Sequence, residues 1–335
     1  MSSAIKRFLW LSVSAALAAC AYLAWYAFTP VLLGKLPAEF EVPPGSRLRS
    51  AAAQMEQSGV AVGRLRFELL GRLLGRARDI KAGSYELSAP ASPLEILDKL
   101  TSGDVTQAEL FFAEGWNIRQ LRAALDAHAA LRHDSAGLYE PELMARVGAA
   151  GAHPEGMFFP DTYLFSKGSS DLALLRRAYR AMQRHLEQEW MARDASLPYQ
   201  SPAEALTMAS IIEKETGRAG ERELVSGVLL NRLRIGMRLQ VDPTVIYGMG
   251  PRFDGNLRKA DLLEDGPYNS YLRVGLPPTP ISMPGLAALR AALHPAKTDA
   301  LYYVARGDGS SHFSRSLEEH NRAVSKYQLP RRTAK

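Results

Sequence analysis

The hydrophobic pattern divides the chain before any single residue does. Residues 8–28, "FLWLSVSAALAACAYLAWYAF", form a run of 21 positions without a charge. About 20 apolar residues in a helix cross a bilayer, whereas the core of a cleaved signal peptide is about 7–15 residues long. The run predicts a transmembrane helix over 8–28. Lys6 and Arg7 stand before it and Trp25 and Tyr26 at its far end, so the tail at 1–7 is expected in the cytoplasm and the remainder outside. "LAAC" (17–20) offers a competing reading, a lipobox with Cys20 lipidated, but the apolar run continues for eight residues past Cys20.

Beyond a linker at 29–39 the period changes. "FEVPPGSRLRSAAAQMEQSGV" (40–60) predicts a strand, a Pro-Gly turn and a helix from near Ser46, followed by a helix over 63–75. In "KAGSYELSA" (81–89), Ser84 and Glu86 alternate with Tyr85 and Leu87, the period of a strand. "SPLEILDKLTSG" (92–103) predicts a helix capped by Ser92, with Pro93 in its first position and Gly103 as its stop. A strand over 106–115 follows, giving a small α+β domain over 40–112.

From 113 to 328 a larger mixed α/β domain is expected. Its helices are interrupted by "HPEGMFFPDTYLFS" (153–166), too proline-broken for a helix and too aromatic for a solvated loop. Those aromatics either line a ligand cleft or plug the core. Helices are predicted over 201–236, 286–297 and 316–327, and a strand with a glycine turn over 300–314. Residues 329–335 are expected to be a disordered tail.

The segment "SPAEALTMASIIEKETG" (201–217) has clear punctuation. Ser201 caps, Pro202 opens, Glu204 completes a capping box and Gly217 stops the helix. At 100° per residue, Ala205, Met208, Ala209 and Ile212 share one face, with Ile211 at its edge. Glu215 follows Met208 by seven, Ile211 by four and Ile212 by three, so it points inward with them. Glu213 is placed nearer solvent. A carboxyl on an apolar face holds its proton to higher pH, as a general acid near neutrality requires. The alternative is an inward Glu satisfied by a buried Arg from "NRLRIGMR" (231–238). Glycosidic cleavage usually takes two carboxylates. Glu155, Asp161 and Asp242 are further candidates, but none is paired with Glu215 by spacing. If a hydroxyl of the substrate itself attacks, one carboxyl suffices.

Composition adds limits. The net charge of +6 suits an anionic surface or polymer. The positive charge is dispersed, as in "RLRFELLGRLLGRARD" (64–79), which reads as an amphipathic helix with a basic face. A basic stripe interleaved with stacking aromatics is missing, which argues against nucleic acid. The single cysteine excludes an intrachain disulfide, and the scattered histidines form no zinc-type cluster with it. No metal or cofactor is expected.

In order along the chain stand "EGMFFPDTYLF", "MASIIEKETG", "VLLNRLRIGMRLQVDPTVIYGMG", "YNSYLRVGLPPTPISMPG" and "FSRSLEEHN". With these the chain resembles the YceG-like (MltG) family of endolytic murein transglycosylases over about residues 40–328. The strand, "VPPGSRL" and two helices resemble a LysM-type glycan-binding module, here 40–112, leaving 113–328 as the catalytic domain. The resemblance implies a lyase of the inner (cytoplasmic) membrane whose catalytic domain is periplasmic. It cuts nascent peptidoglycan glycan strands between N-acetylmuramic acid and N-acetylglucosamine, leaves a 1,6-anhydro end and uses no cofactor. Peptidoglycan synthases are implied as partners.

The family's catalytic glutamate falls on Glu215. Gln240, Asp242 and Thr244 in "LQVDPT" are expected to line the cleft. Tyr268, Asn269 and Tyr271 in "YNSY" would face the sugars, and Phe158, Phe159, Pro160 and Asp161 would form another wall. Capping a turn before Pro243 is the structural alternative for Asp242. The sequence departs from the family's pattern at Thr279 and Met283, and at Ser311, where the family tends to place a His; here His312 comes next. A non-catalytic glycan-binding anchor and a hydrolytic muramidase using Asp242 or Asp161 are the competing functions.

Overall fold

The computed structural model describes residues 3–34, 36–43, 45–215 and 218–328. The expected tail at 329–335 and the helix stop at Gly217 lie outside them. The chain forms two compact units. One comprises Met1–Glu109 with Leu164–Ser169, the other Leu110–Tyr163 with Ser170–Lys335. The small unit therefore recruits a short segment from far along the chain, which local patterning did not indicate.

In the first unit the apolar run becomes α1 (Ser3–Phe28). Trp10–Phe28 is long and apolar enough to cross a membrane. Strand β1 (Ala38–Val42), helices α2 (Leu48–Gln57) and α3 (Arg64–Leu73), strand β2 (Gly83–Leu87) and helix α4 (Pro93–Ser102) follow, and β3 (Gln107–Phe111) leaves the unit. β1 and β2 pair antiparallel with Phe40 opposite Tyr85, and those rings stack at 5.6 Å. The alternation of β1 buries Ala38, Phe40 and Val42 against Leu48, Met55, Phe67, Leu97 and Leu100. α4 bears out its punctuation. Ser92 Oγ accepts from Glu95 N, Glu95 reaches back to Ser92 N, and Gly103 ends the helix in the left-handed region. The expected linker is held against this unit, since Val31 N donates to Ala91 O at 3.0 Å and Gly34 N to Gly59 O at 2.9 Å.

The second unit is mainly helical. It contains α5 (Ile118–Asp126), β4 (Leu131–Arg132), α6 (Glu140–Val147), β5 (Thr162–Ser166, shared with the first unit), β6 (Ser169–Ser170, likewise shared) and α7 (Asp171–Met191). Next come α8 (Pro202–Glu215), α9 (Arg222–Arg234), α10 (Asp242–Met249) and α11 (Leu286–Leu293). Strands β7 (Tyr302–Ala305) and β8 (Ser311–Ser314) and helix α12 (Leu317–Tyr327) close it. α8 packs against α7, α9, α10 and α11. Every residue from Ala205 to Ile212 is buried, so the one-sided apolar face expected for this helix is wrong; it is covered all round. That requires its polar members to be satisfied internally. Ser210 Oγ donates to Thr207 O and accepts from Ile281 N, and Ser282 Oγ donates to Ser210 O.

Candidate active site

α8 delivers Glu215 to the wall of an open cleft of about 640 Å³. The cleft is lined by Glu215, Arg232 from α9, Gln240 and Asp242 at the start of α10, Tyr271, the β7–β8 hairpin and one side of α12. Tyr303, opposite Phe313 in the hairpin, donates its hydroxyl to Glu215 Oε2 at 2.7 Å. Burial raises the Glu215 pKa, the Tyr303 hydrogen bond opposes this, nearby Asp242 raises it further and Arg232 lowers it. Burial and the same carboxylate push the Tyr303 hydroxyl well above its ordinary range, so it remains a donor.

Arg232 is buried, and its guanidinium is divided between two backbone carbonyls. Nε donates to Leu301 O at 2.6 Å and Nη1 to Leu239 O at 2.6 Å. It also lies 5.2 Å from the centre of the Tyr302 ring, whose stack continues to His320. Among the described residues Gln240 is the non-glycine with positive φ, at 53°. A strained backbone beside a cleft points to function. Its N–H donates to Ser270 O at 3.1 Å, which helps hold the bend.

The residues named from sequence separate in space. Gln240, Asp242 and Tyr271 share the cleft with Glu215, and Tyr271 donates to Asp242 Oδ1 at 2.5 Å. Thr244 is buried beneath them, bonded to Val241 O and to Ser270 Oγ. Asn269 is buried too, and donates to Leu262 O and Glu264 O. Tyr268 packs on Tyr247 and bonds Thr279. Phe158 and Phe159 are core residues, while Asp161 is exposed and accepts from Thr162 N. Phe159, Pro160 and Asp161 line a different hollow, with Arg222 and Arg290.

Glu213 departs from its expected solvent position. Its side chain is 7% exposed, accepts from Gly285 N at 2.9 Å and lies 3.5 Å from Arg222. Burial raises its pKa, the Gly285 N–H opposes this and Glu114 adds to it. Single-face helix geometry failed because α11 covers the side that the sequence left open. Tyr302, Tyr303 and His320 were missed as site residues. The aromatic pair before a glycine turn in "LYYVARGDG" was the available signal.

Glu155 belongs elsewhere. It is fully buried at the start of α5, where both oxygens accept from Ile118 N at 3.1 and 3.2 Å. Burial pushes its carboxyl up to about 7, against the Ile118 and Tyr247 hydrogen bonds. An acid whose pKa is raised by folding favours the native state at low pH. From pH 4.5, where the unfolded chain ionises, to about 7, the fold should lose on the order of 3 kcal/mol at this site. Melting temperatures at pH 5 and pH 8 should therefore differ less in Glu155→Gln than in the parent. An unchanged difference would sink this assignment.

A part-buried carboxylic acid of raised pKa, bonded to a tyrosine hydroxyl in an open cleft, is the arrangement that acid–base cleavage of a glycosidic bond requires. The YceG-like family model matches residues 40–326, and the chain belongs to that family. It is 32% identical over 310 residues to the endolytic murein transglycosylase of Bacillus subtilis, covering 88% of this chain and 85% of the relative. The endolytic murein transglycosylase of Streptococcus pneumoniae D39 is 27% identical over 328 residues, covering 85% of this chain and 57% of the longer relative. The crystal structure of a yceG-like protein from Listeria monocytogenes superimposes with a TM-score of 0.55 at 31% identity, covering 85% of this chain and 97% of that one.

Proposed function

We propose that this protein is a membrane-anchored endolytic lytic transglycosylase of peptidoglycan. The observation that carries the reading is Glu215, a part-buried carboxyl held by Tyr303 in an open cleft of about 640 Å³. With Oε2 engaged by Tyr303, the proton resides on Oε1. Glu215 gives that proton to the glycosidic oxygen as the bond from muramyl C1 breaks. The muramyl 6-hydroxyl attacks C1 and its proton passes to the Glu215 carboxylate. The acid is regenerated, a 1,6-anhydro end forms and water is not consumed. Internal attack supplies the effective concentration that an activated water would otherwise need.

Gln240, Asp242 and Tyr271 hold the sugars in this reading. Thr244, Asn269 and Tyr268 support them, and Phe158, Phe159 and Asp161 belong to a more distant wall. α1 crosses the cytoplasmic membrane with its N-terminus inside, and the catalytic unit meets nascent strands, and the synthases that make them, on the outer side. The small unit serves as a LysM-like glycan-holding module. Its strand–turn–helix–helix order supports this.

A second reading is hydrolysis, favoured by Asp242 in the same cleft as Glu215. Digestion of purified peptidoglycan with mass analysis of the products distinguishes them. Anhydro ends are the expected result; reducing ends would establish a hydrolase, and absence of release would leave a binding protein.

A further inference from the structure

α3 is amphipathic in an unusual sense, because its outward face is also apolar. Phe67, Leu70 and Gly71 are buried in the first unit. Leu65, Leu69 and Leu73, spaced by four, are 69%, 46% and 65% exposed, and Leu74 just beyond is 46% exposed. At helical spacing the three leucines form one stripe. Arg64, Arg66, Arg72, Arg76 and Arg78 flank it against Glu68 and Asp79, so the segment is net basic, although Arg64, Arg72 and Arg76 are half-exposed partners of Glu56, Glu68 and Asp98. Water is a poor partner for such a stripe, and a contiguous exposed apolar strip marks an interaction surface.

The fold places this helix beside the end of α1. Arg66 Nη1 donates to Tyr22 Oη at 3.1 Å and its guanidinium lies 5.1 Å from the Tyr26 ring centre. Tyr26 and Ala27 already belong to the core of the small unit. The outer end of α1 and α3 therefore lie side by side within the small unit, at the end of the apolar run where the far bilayer boundary falls. Basic residues and leucines at that level match the headgroup–acyl boundary of an anionic membrane.

We propose that α3 is a second membrane contact. Its Leu65–Leu69–Leu73 stripe enters the boundary of an anionic phospholipid leaflet, the segment's net positive charge faces the phosphates, and the small unit is held against the surface beside its own anchor. The inference rests on α1 crossing the membrane, and the test separates the two. Full-length protein carrying Cys20→Ser is reconstituted into phosphatidylglycerol-containing liposomes with brominated acyl chains. An environment-sensitive fluorophore is attached, in separate samples, through Leu17→Cys in α1, Leu69→Cys in α3, or Ser102→Cys at the end of α4.

Strong quenching is expected at 17 and 69 and little at 102. Quenching at 17 with position 69 as unquenched as 102 overturns the docking and leaves the anchor. No quenching at either 17 or 69 overturns both. If the probe at 69 is protected from water without being quenched, and energy transfer between labelled copies appears, a second copy covers the stripe and the lipid proposal is wrong. Leu65→Ser with Leu69→Ser and Leu73→Ser should release the α3 contact, read as lost protection at Leu74→Cys, without detaching the protein from the liposomes.

Discussion

The Glu215→Gln protein is expected to fold as the parent does and to lose at least about a thousandfold in the rate of anhydro-end formation, because in the proposed mechanism one group acts as both acid and base. The amide keeps the size of the carboxylic acid and can still accept from Tyr303, so the loss isolates the proton. Glu213→Gln is the informative companion. Its amide oxygen can still accept from Gly285 N, and only the attraction of Arg222 is given up. Activity should stay within about tenfold of the parent, with a modest fall in melting temperature. A dead Glu213→Gln protein with an active Glu215→Gln protein would reverse the assignment of the motif.

The second large effect is in the pH profile. In the proposed mechanism Glu215 must carry its proton to act, so activity should fall as pH rises through its raised pKa. Asp242→Asn removes a like charge, which lowers the Glu215 pKa and moves the alkaline limb to lower pH. Tyr303→Phe removes a donor that favours the carboxylate. That raises the Glu215 pKa and moves the limb to higher pH, while the maximum rate falls because Oε2 is no longer held. Rate measurements across pH on one soluble glycan substrate should show the two limbs moving apart. Shifts of the same sign would refute the electrostatic account.

Much of this was legible in the residues. Ser92, Pro93 and Gly103 marked α4 because their signals are local, satisfied within one helix. Helical phase and the family motif both pointed to Glu215, which does line the cleft, but the same phase misplaced Glu213. The burial of Glu213 was not legible, since it is imposed by α11, some seventy residues later in the chain. The hairpin wall escaped for the same reason. Tyr303 lines the site only through the meeting of β7 with the end of α8, and the aromatic pair before the glycine turn does not say which helix end it meets. Phe158 and Phe159 illustrate the converse, a local aromatic density that tertiary packing assigns to the core.

Arg232 has a consequence for how the cleft admits a polymer. One rigid planar fork ties Leu239, just before Gln240, to Leu301, just before the Tyr302–Tyr303 wall. The separation of the two banks is thus set by the dimensions of a guanidinium, a gauge that a flexible ammonium would not reproduce. A tie of this kind opposes closure of the two banks upon a substrate. In the proposed reading, a strand meets a slot whose two walls are tied to one another, and it enters from the side at any point along its length without the walls having to part.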